Sequence, residues 1–111
     1  MKKMKEWTHK EWIKEKNTNH ITAFYLYAPM CGTCQVAARM LSVVMELLPN
    51  LQIGKANLNY IQEIADLYEV ESVPCLLITE DGILKEKIYA FHSVPYLYDK
   101  LKSVDEYSRS W

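Results

Sequence analysis

The sequence lacks a charge excess of either sign. Thirteen Lys and Arg against fourteen Asp and Glu leave a formal net charge of -1 over 111 residues. A general nucleic-acid binder needs a basic surface excess, so that class is excluded. Cysteine is sparse, with three residues, an odd number that builds no disulfide framework. There is no low-complexity segment and no repeat at solenoid spacing. A long apolar run is also missing. The basic start "MKKMKEW" is followed by the charged "THKEWIKEK" rather than by the apolar core of a signal peptide. Residues 21–38 carry no Asp, Glu, Lys or Arg, but Pro29, Gly32 and a change of hydrophobic period break them up. They are unsuited to a membrane span of ~20 apolar residues. The reading is a soluble cytoplasmic protein with no membrane and no nucleic-acid partner. In a reducing cytosol a close cysteine pair serves catalysis or metal binding more readily than structure.

What is present suits one domain over residues 1–111, half of it hydrophobic and 24% charged. Thr8-x-x-Glu11 reads as a capping box that opens a helix over residues 8–16, with Trp7 and Trp12 at the staple positions. Met4–Trp7 before it reads as a short edge strand. "ITAFYLYA" (21–28) reads as a central strand buried on both faces and stopped by Pro29. From Cys31 to Leu48 the period becomes helical, with Val36, Ala37, Met40, Leu41, Val44, Leu47 and Leu48 on one face. A strand follows at 51–58, then a helix from Tyr60 to Tyr68 capped by Asn59. "VPCLLIT" (73–79) and "ILKEKIYAF" (83–91) form a hairpin about the turn "EDG". Ser93 caps a last helix with Val94, Leu97, Leu101 and Val104 as its stripe. Alternating strands and helices with a late hairpin predict an α/β fold, a central mixed sheet with helices on both faces.

"APMCGTC" (28–34) sits where the central strand gives way to a helix. The pair Cys31 and Cys34 is open to three readings: a redox couple, half of a metal site, or two inert buried thiols. Zinc needs four ligands, and only Cys75, His9, His20 and His92 remain, none at finger-like spacing. At a helix N-terminus, unpaired N–H groups and the helix dipole favour a thiolate at Cys31. Cys34, one turn on, shares its face and can resolve a disulfide formed by an attack of Cys31.

"APMCGTC" after a buried strand, with "SVPC" opening a later strand about forty residues on, resembles thioredoxin and the thioredoxin-like proteins. The resemblance runs from the first helix to the last. It implies a thioredoxin fold and a thiol–disulfide oxidoreductase in which Cys31 attacks and Cys34 resolves. It implies a cis Val73–Pro74 bond against the cysteines, lining with Met30 the groove for a client's backbone and keeping metals off the thiols. Gly32 allows tight backbone passage and Thr33 offers a hydroxyl close to the pair; the resemblance adds a supporting role for Lys55 and no cofactor beyond the Cys31–Cys34 couple. Partners would be disulfide-containing proteins or small thiols, with a thioredoxin reductase or a low-molecular-weight thiol as reductant, acting on a monomer. The sequence also departs from the family. Met30 and Thr33 replace the tryptophan and proline of Trp-Cys-Gly-Pro-Cys, Tyr27 replaces another tryptophan, and Ala90 replaces a groove glycine. Tyr25 takes the place of a buried aspartate that deprotonates the resolving cysteine, and tyrosine is a poor base at neutral pH. The alternatives are a binding module with weak turnover that uses the groove beside Pro74, and a glutaredoxin-like iron–sulfur binder, which Thr33 in place of proline leaves open.

Overall fold

The computed structural model describes residues 3–109, with side chains in the last helix described as far as Lys102. In chain order the elements are β1 (Lys5–Glu6), α1 (His9–Thr18), β2 (Ile21–Tyr27), α2 (Gly32–Leu47), β3 (Ile53–Asn57), a 3-10 turn (Leu58–Tyr60), α3 (Gln62–Leu67), β4 (Cys75–Glu80), β5 (Ile83–Ile88) and α4 (Val94–Arg109). The sheet runs β1-β3-β2-β4-β5. The pairs β1–β3 and β2–β3 are parallel, whereas β2–β4 and β4–β5 are antiparallel. The expected mixed α/β sheet is observed. Among the described residues no helix is long and apolar enough to cross a membrane.

The apolar stretch of β2 explains this layering. A strand with large side chains on both faces must be covered on both. Ala23 and Tyr25 face Ala37, Leu41 and Val44 of α2 and Leu97 and Leu101 of α4. Phe24 and Leu26 face Trp12 of α1 and Ile61 and Ile64 around α3. The capping box forms: Thr8 Oγ1 accepts from the Glu11 amide at 3.1 Å, and the Thr8 amide donates to Glu11 Oε1 at 3.0 Å. Trp7 and Trp12 stack on either side of it, and Trp12 stacks on Phe24 with ring centroids 4.6 Å apart.

Several boundaries differ from expectation for local reasons. The buried stripe of α2 is Cys34, Ala37, Leu41, Val44 and Met45, whereas Val36 and Leu47 are exposed at its edges. Sequence period placed a broad apolar face, and the sheet covers only its centre. Asn59 does not cap a helix. The side chain of Asn57 accepts from the Asn59 amide at 3.0 Å and starts the 3-10 turn, and α3 begins later with no side-chain cap. β4 starts at Cys75 rather than Val73, since Pro74 has no N–H to give the ladder. The hairpin turn places Asp81 at φ 52 and Gly82 at φ 83, the paired positive values of a tight two-residue connection. β5 stops at Ile88, before the expected Phe91. Ser93 caps α4 as its side chain accepts from the Tyr96 amide at 3.2 Å, and Leu97 and Leu101 are buried. Val104 lies outside the residues whose side chains are described.

The two-residue edge strand β1 is held by the Trp7 ring lying flat on Gly54 of β3, where a Cβ would overlap the indole. Trp7 also donates its amide to the Lys55 carbonyl at 2.9 Å. Gly54→Ala is therefore expected to destabilise the fold by about 1–3 kcal/mol, the usual cost of overpacking. Equilibrium urea unfolding checks it as a lowered midpoint at unchanged slope.

Candidate active site

β2 ends at Tyr27, and Ala28, Pro29 and Met30 carry the chain over the top of the sheet into α2. Cys31 is the N-cap of α2, in extended backbone geometry with φ -113 and ψ 107. Its sulfur accepts from the Cys34 amide at 3.2 Å, and the Thr33 hydroxyl lies 3.3 Å away. Cys34 lies one turn on, and the two sulfurs form a disulfide with Cα atoms 5.2 Å apart. The pair is asymmetric. Cys31 is half-buried, whereas Cys34 is 3% exposed. The first turn of α2 carries no acidic side chain to oppose an anion. After reduction the same amide, hydroxyl and helix terminus face the Cys31 sulfur, which suits a thiolate.

Two hollows flank the pair. One, of about 350 Å³, is lined by Thr33, Val36, Ala37, Met40, Pro74, Tyr89, Ala90 and Phe91. The Val73–Pro74 peptide bond is cis. Pro74 and Thr33 share this groove. Met30 and Val73, the other groove residues implied by the resemblance, do not line it. Met30 stands 98% exposed beside Cys31, and Val73 packs against the core on the α1–α3 face. Val36, which the helical period placed on the apolar face, is exposed along this groove, and Met40 lines it while also packing against the core.

The second hollow, of about 220 Å³, lies behind Cys34 and is lined by Tyr25, Tyr27, Ala28, Pro29, Cys34, Gln35, Ala38 and Lys55. The Tyr25 hydroxyl donates to the Cys34 carbonyl at 2.5 Å. Burial first, and the neighbouring Tyr27 second, push its phenol up to about 12. Tyr25 is thus a neutral donor that pins the first turn of α2, and it holds no base for Cys34. The Tyr27 hydroxyl donates to Glu6 Oε1 at 2.5 Å, and burial together with that bond pushes Tyr27 up to about 12. Lys55 Nζ lies 4.0 Å from Glu6 and 5.7 Å from the centre of the Tyr27 ring. Nothing in the sequence marked Glu6. It arrives here because β1 pairs with β3 in the register Glu6↔Lys55.

The remaining chemistry-bearing side chains are elsewhere. Cys75 is free and fully buried, and burial pushes its thiol up to about 12 against a small opposing effect of Lys87. It is an unreactive core residue despite following Pro74. His9 pairs with Glu63 at 3.3 Å, and the His92 ring lies edge-on to Tyr96. Among the described residues the cluster able to approach a metal is His20, Glu80 and Asp81, which involves neither cysteine of the pair.

A cysteine pair that caps the helix leaving the central strand of such a sheet defines the class, an α/β protein with the fold of the thiol–disulfide oxidoreductases. The sequence profile described as Thioredoxin matches residues 1–103. The thioredoxin-like protein YusE of Bacillus subtilis (strain 168) is 46% identical over 94 residues, spanning 81% of this chain and 89% of that one. The thioredoxin-like protein YdfQ of the same organism is 31% identical over 80 residues, spanning 72% and 71%. A mutant thioredoxin from Halobacterium salinarum superposes with a TM-score of 0.81 at 22% identity, covering 92% of this chain and 89% of its own. At that identity the superposition speaks for the fold alone. The chain belongs to the thioredoxin family.

The raised phenol of Tyr25 gives a signed expectation. An unfolded tyrosine titrates near 10 and this one at about 12, so between those values the folded chain keeps a proton that the unfolded chain has lost. Stability from this group is complete below about pH 10 and falls as pH rises towards 12. Tyr25→Phe is expected to lose about 0.5–1.5 kcal/mol at neutral pH with its hydrogen bond, and to show a shallower alkaline loss. Urea unfolding at stepped pH checks both.

Proposed function

We propose that this protein reduces or exchanges disulfides through the Cys31–Cys34 couple. The observation that carries the reading is the half-buried Cys31 sulfur at the α2 N-terminus, with a buried Cys34 at bonding distance behind it. The Cys31 thiolate attacks one sulfur of a client disulfide. That S–S bond breaks, one client sulfur leaves as a thiolate, and a mixed disulfide holds the other. Cys34, deprotonated, attacks Cys31 Sγ. The client leaves with both sulfurs reduced, and the protein keeps a Cys31–Cys34 disulfide. Two electrons from outside then restore the dithiol.

The groove beside Pro74 is the place for the client chain, walled on the α2 side by Thr33, Val36 and Met40. Its apolar lining suits an extended segment with small or aliphatic side chains. Disulfide-bearing proteins or small thiols are the clients, and a thioredoxin reductase or a low-molecular-weight thiol is the reductant. The couple itself carries the electrons and no organic cofactor takes part. The working place is the cytoplasm, where such a couple is kept supplied with reductant.

Cys34→Ser leaves the attacking thiol and removes the resolving one. Mixed disulfides with client proteins are expected to accumulate on it in cells and to be absent from Cys31→Ser. Capture by affinity purification without reductant, released by reductant, checks this. Equal capture by both variants would overturn the reading.

A further inference from the structure

Resolution of a mixed disulfide requires Cys34 to lose its proton, and Cys34 is 3% exposed. A thiol with a reference pKa of ~8.5 is mostly protonated at neutral pH, so the step needs an acceptor. The hollow behind Cys34 is the way out for that proton, since Cys34 forms part of its wall. Among its lining residues none is a carboxylate or a histidine. Two phenols line it, and their hydrogen bonds run to different ends. That of Tyr25 ends on the Cys34 carbonyl, which holds no proton. That of Tyr27 ends on the Glu6 carboxylate, which can take one.

We propose that Glu6 is the proton acceptor for Cys34, reached through water in the hollow and the Tyr27 hydroxyl. The inference rests on the disulfide-exchange reading above and assigns that site its missing base. The Tyr27 O–H is spent on Glu6, which leaves the oxygen lone pairs to accept from water on the cavity side. As a water takes the Cys34 proton and passes one to Tyr27, Tyr27 hands its own to Glu6. The Cys34 thiolate then forms the bond to Cys31 Sγ, the Cys31–client bond breaks, and the client leaves as a thiolate. Glu6 gives its proton to solvent afterwards. Its side chain is 57% exposed, so that return path is open. The high phenol pKa keeps Tyr27 neutral, a carrier and not a store.

The surroundings are accounted for. Lys55 from β3 lines the hollow and lies 4.0 Å from Glu6. Tyr60 from the 3-10 turn and His9 at the start of α1 line a hollow on the far side of Glu6, and His9 is paired with Glu63. Besides Cys34, α2 contributes only Gln35 and Ala38 to the cavity, β2 contributes Tyr25 and Tyr27, and the loop between them contributes Ala28 and Pro29.

The test mixes the reduced protein with an aromatic disulfide, dithiobis(nitrobenzoate), in a stopped-flow instrument. Attack by Cys31 releases a first coloured thiolate and resolution by Cys34 a second. Glu6→Gln keeps an acceptor for the Tyr27 hydroxyl and removes the base, and Tyr27→Phe keeps the ring and removes the carrier. Both are expected to slow the second phase about tenfold or more near neutral pH, in line with the usual ~10²–10⁴-fold contribution of a general base less that of bulk water. The first phase should not change. The deficit should narrow as pH rises, because hydroxide takes over the role of the base. A purely electrostatic role would have the opposite sign, since removing a negative charge near Cys34 favours its thiolate. A second phase that is unchanged or faster in Glu6→Gln overturns the proposal, and so does an equal fall of both phases at every pH. A wild-type protein with no first phase overturns the exchange reading itself.

Discussion

The contact on which the site depends is between the Cys31 sulfur and the first turn of α2. Sulfur takes the place that a serine or aspartate oxygen fills at most helix starts, accepting from the amide three residues on. One interaction thus does two things. It closes the helix N-terminus, and it places a nucleophile where partial positive charge is concentrated. The position of that terminus is in turn set by β2, which is buried on both faces and cannot slide without exposing Phe24 or Tyr25. Helix, strand and cysteine are fixed together.

The two sulfurs share a covalent bond but not an environment. Cys31 has the helix terminus, a hydroxyl and a groove. Cys34 has a hollow walled by tyrosines, small residues and one lysine. Tyr25 shows how substitution changes chemistry without disturbing the fold. A phenol there fills the core against Tyr27 and Phe91, bonds to the Cys34 carbonyl, and is pushed by burial further from any ability to accept a proton. A carboxylate stands instead at Glu6, on a two-residue edge strand anchored by Trp7 over Gly54. Packing at the edge of the sheet is thereby tied to chemistry at the top of it.

Much of the architecture was legible from local pattern. The capping box, the tryptophan staple and the doubly buried strand were each readable because their causes lie within a few residues. So was the step from strand to helix at Cys31. The differences arise where a particular neighbour, near or far in the chain, decided. Val36 fits the apolar helical period and is exposed along a groove instead, with Pro74 and Ala90 on its other wall. Asn59 has a cap's identity, but Asn57, two residues earlier, captures its amide first. Met30 and Val73 border the loops of the site without lining the groove.

The sequence by itself determined that a cysteine pair one helical turn apart would follow a buried strand, since burial and period are written in the residues concerned. It also determined that no ionised side chain would stand at position 25. Tertiary structure alone decided that Cys75 would be inert, because its depth depends on sheets and helices from the whole chain. It alone decided which carboxylate would take the hydrogen bond of the Tyr27 hydroxyl. Glu6 and Lys55 are far apart in the chain and meet only through the parallel register of β1 on β3, and no local signal encodes a register between strands joined through the core.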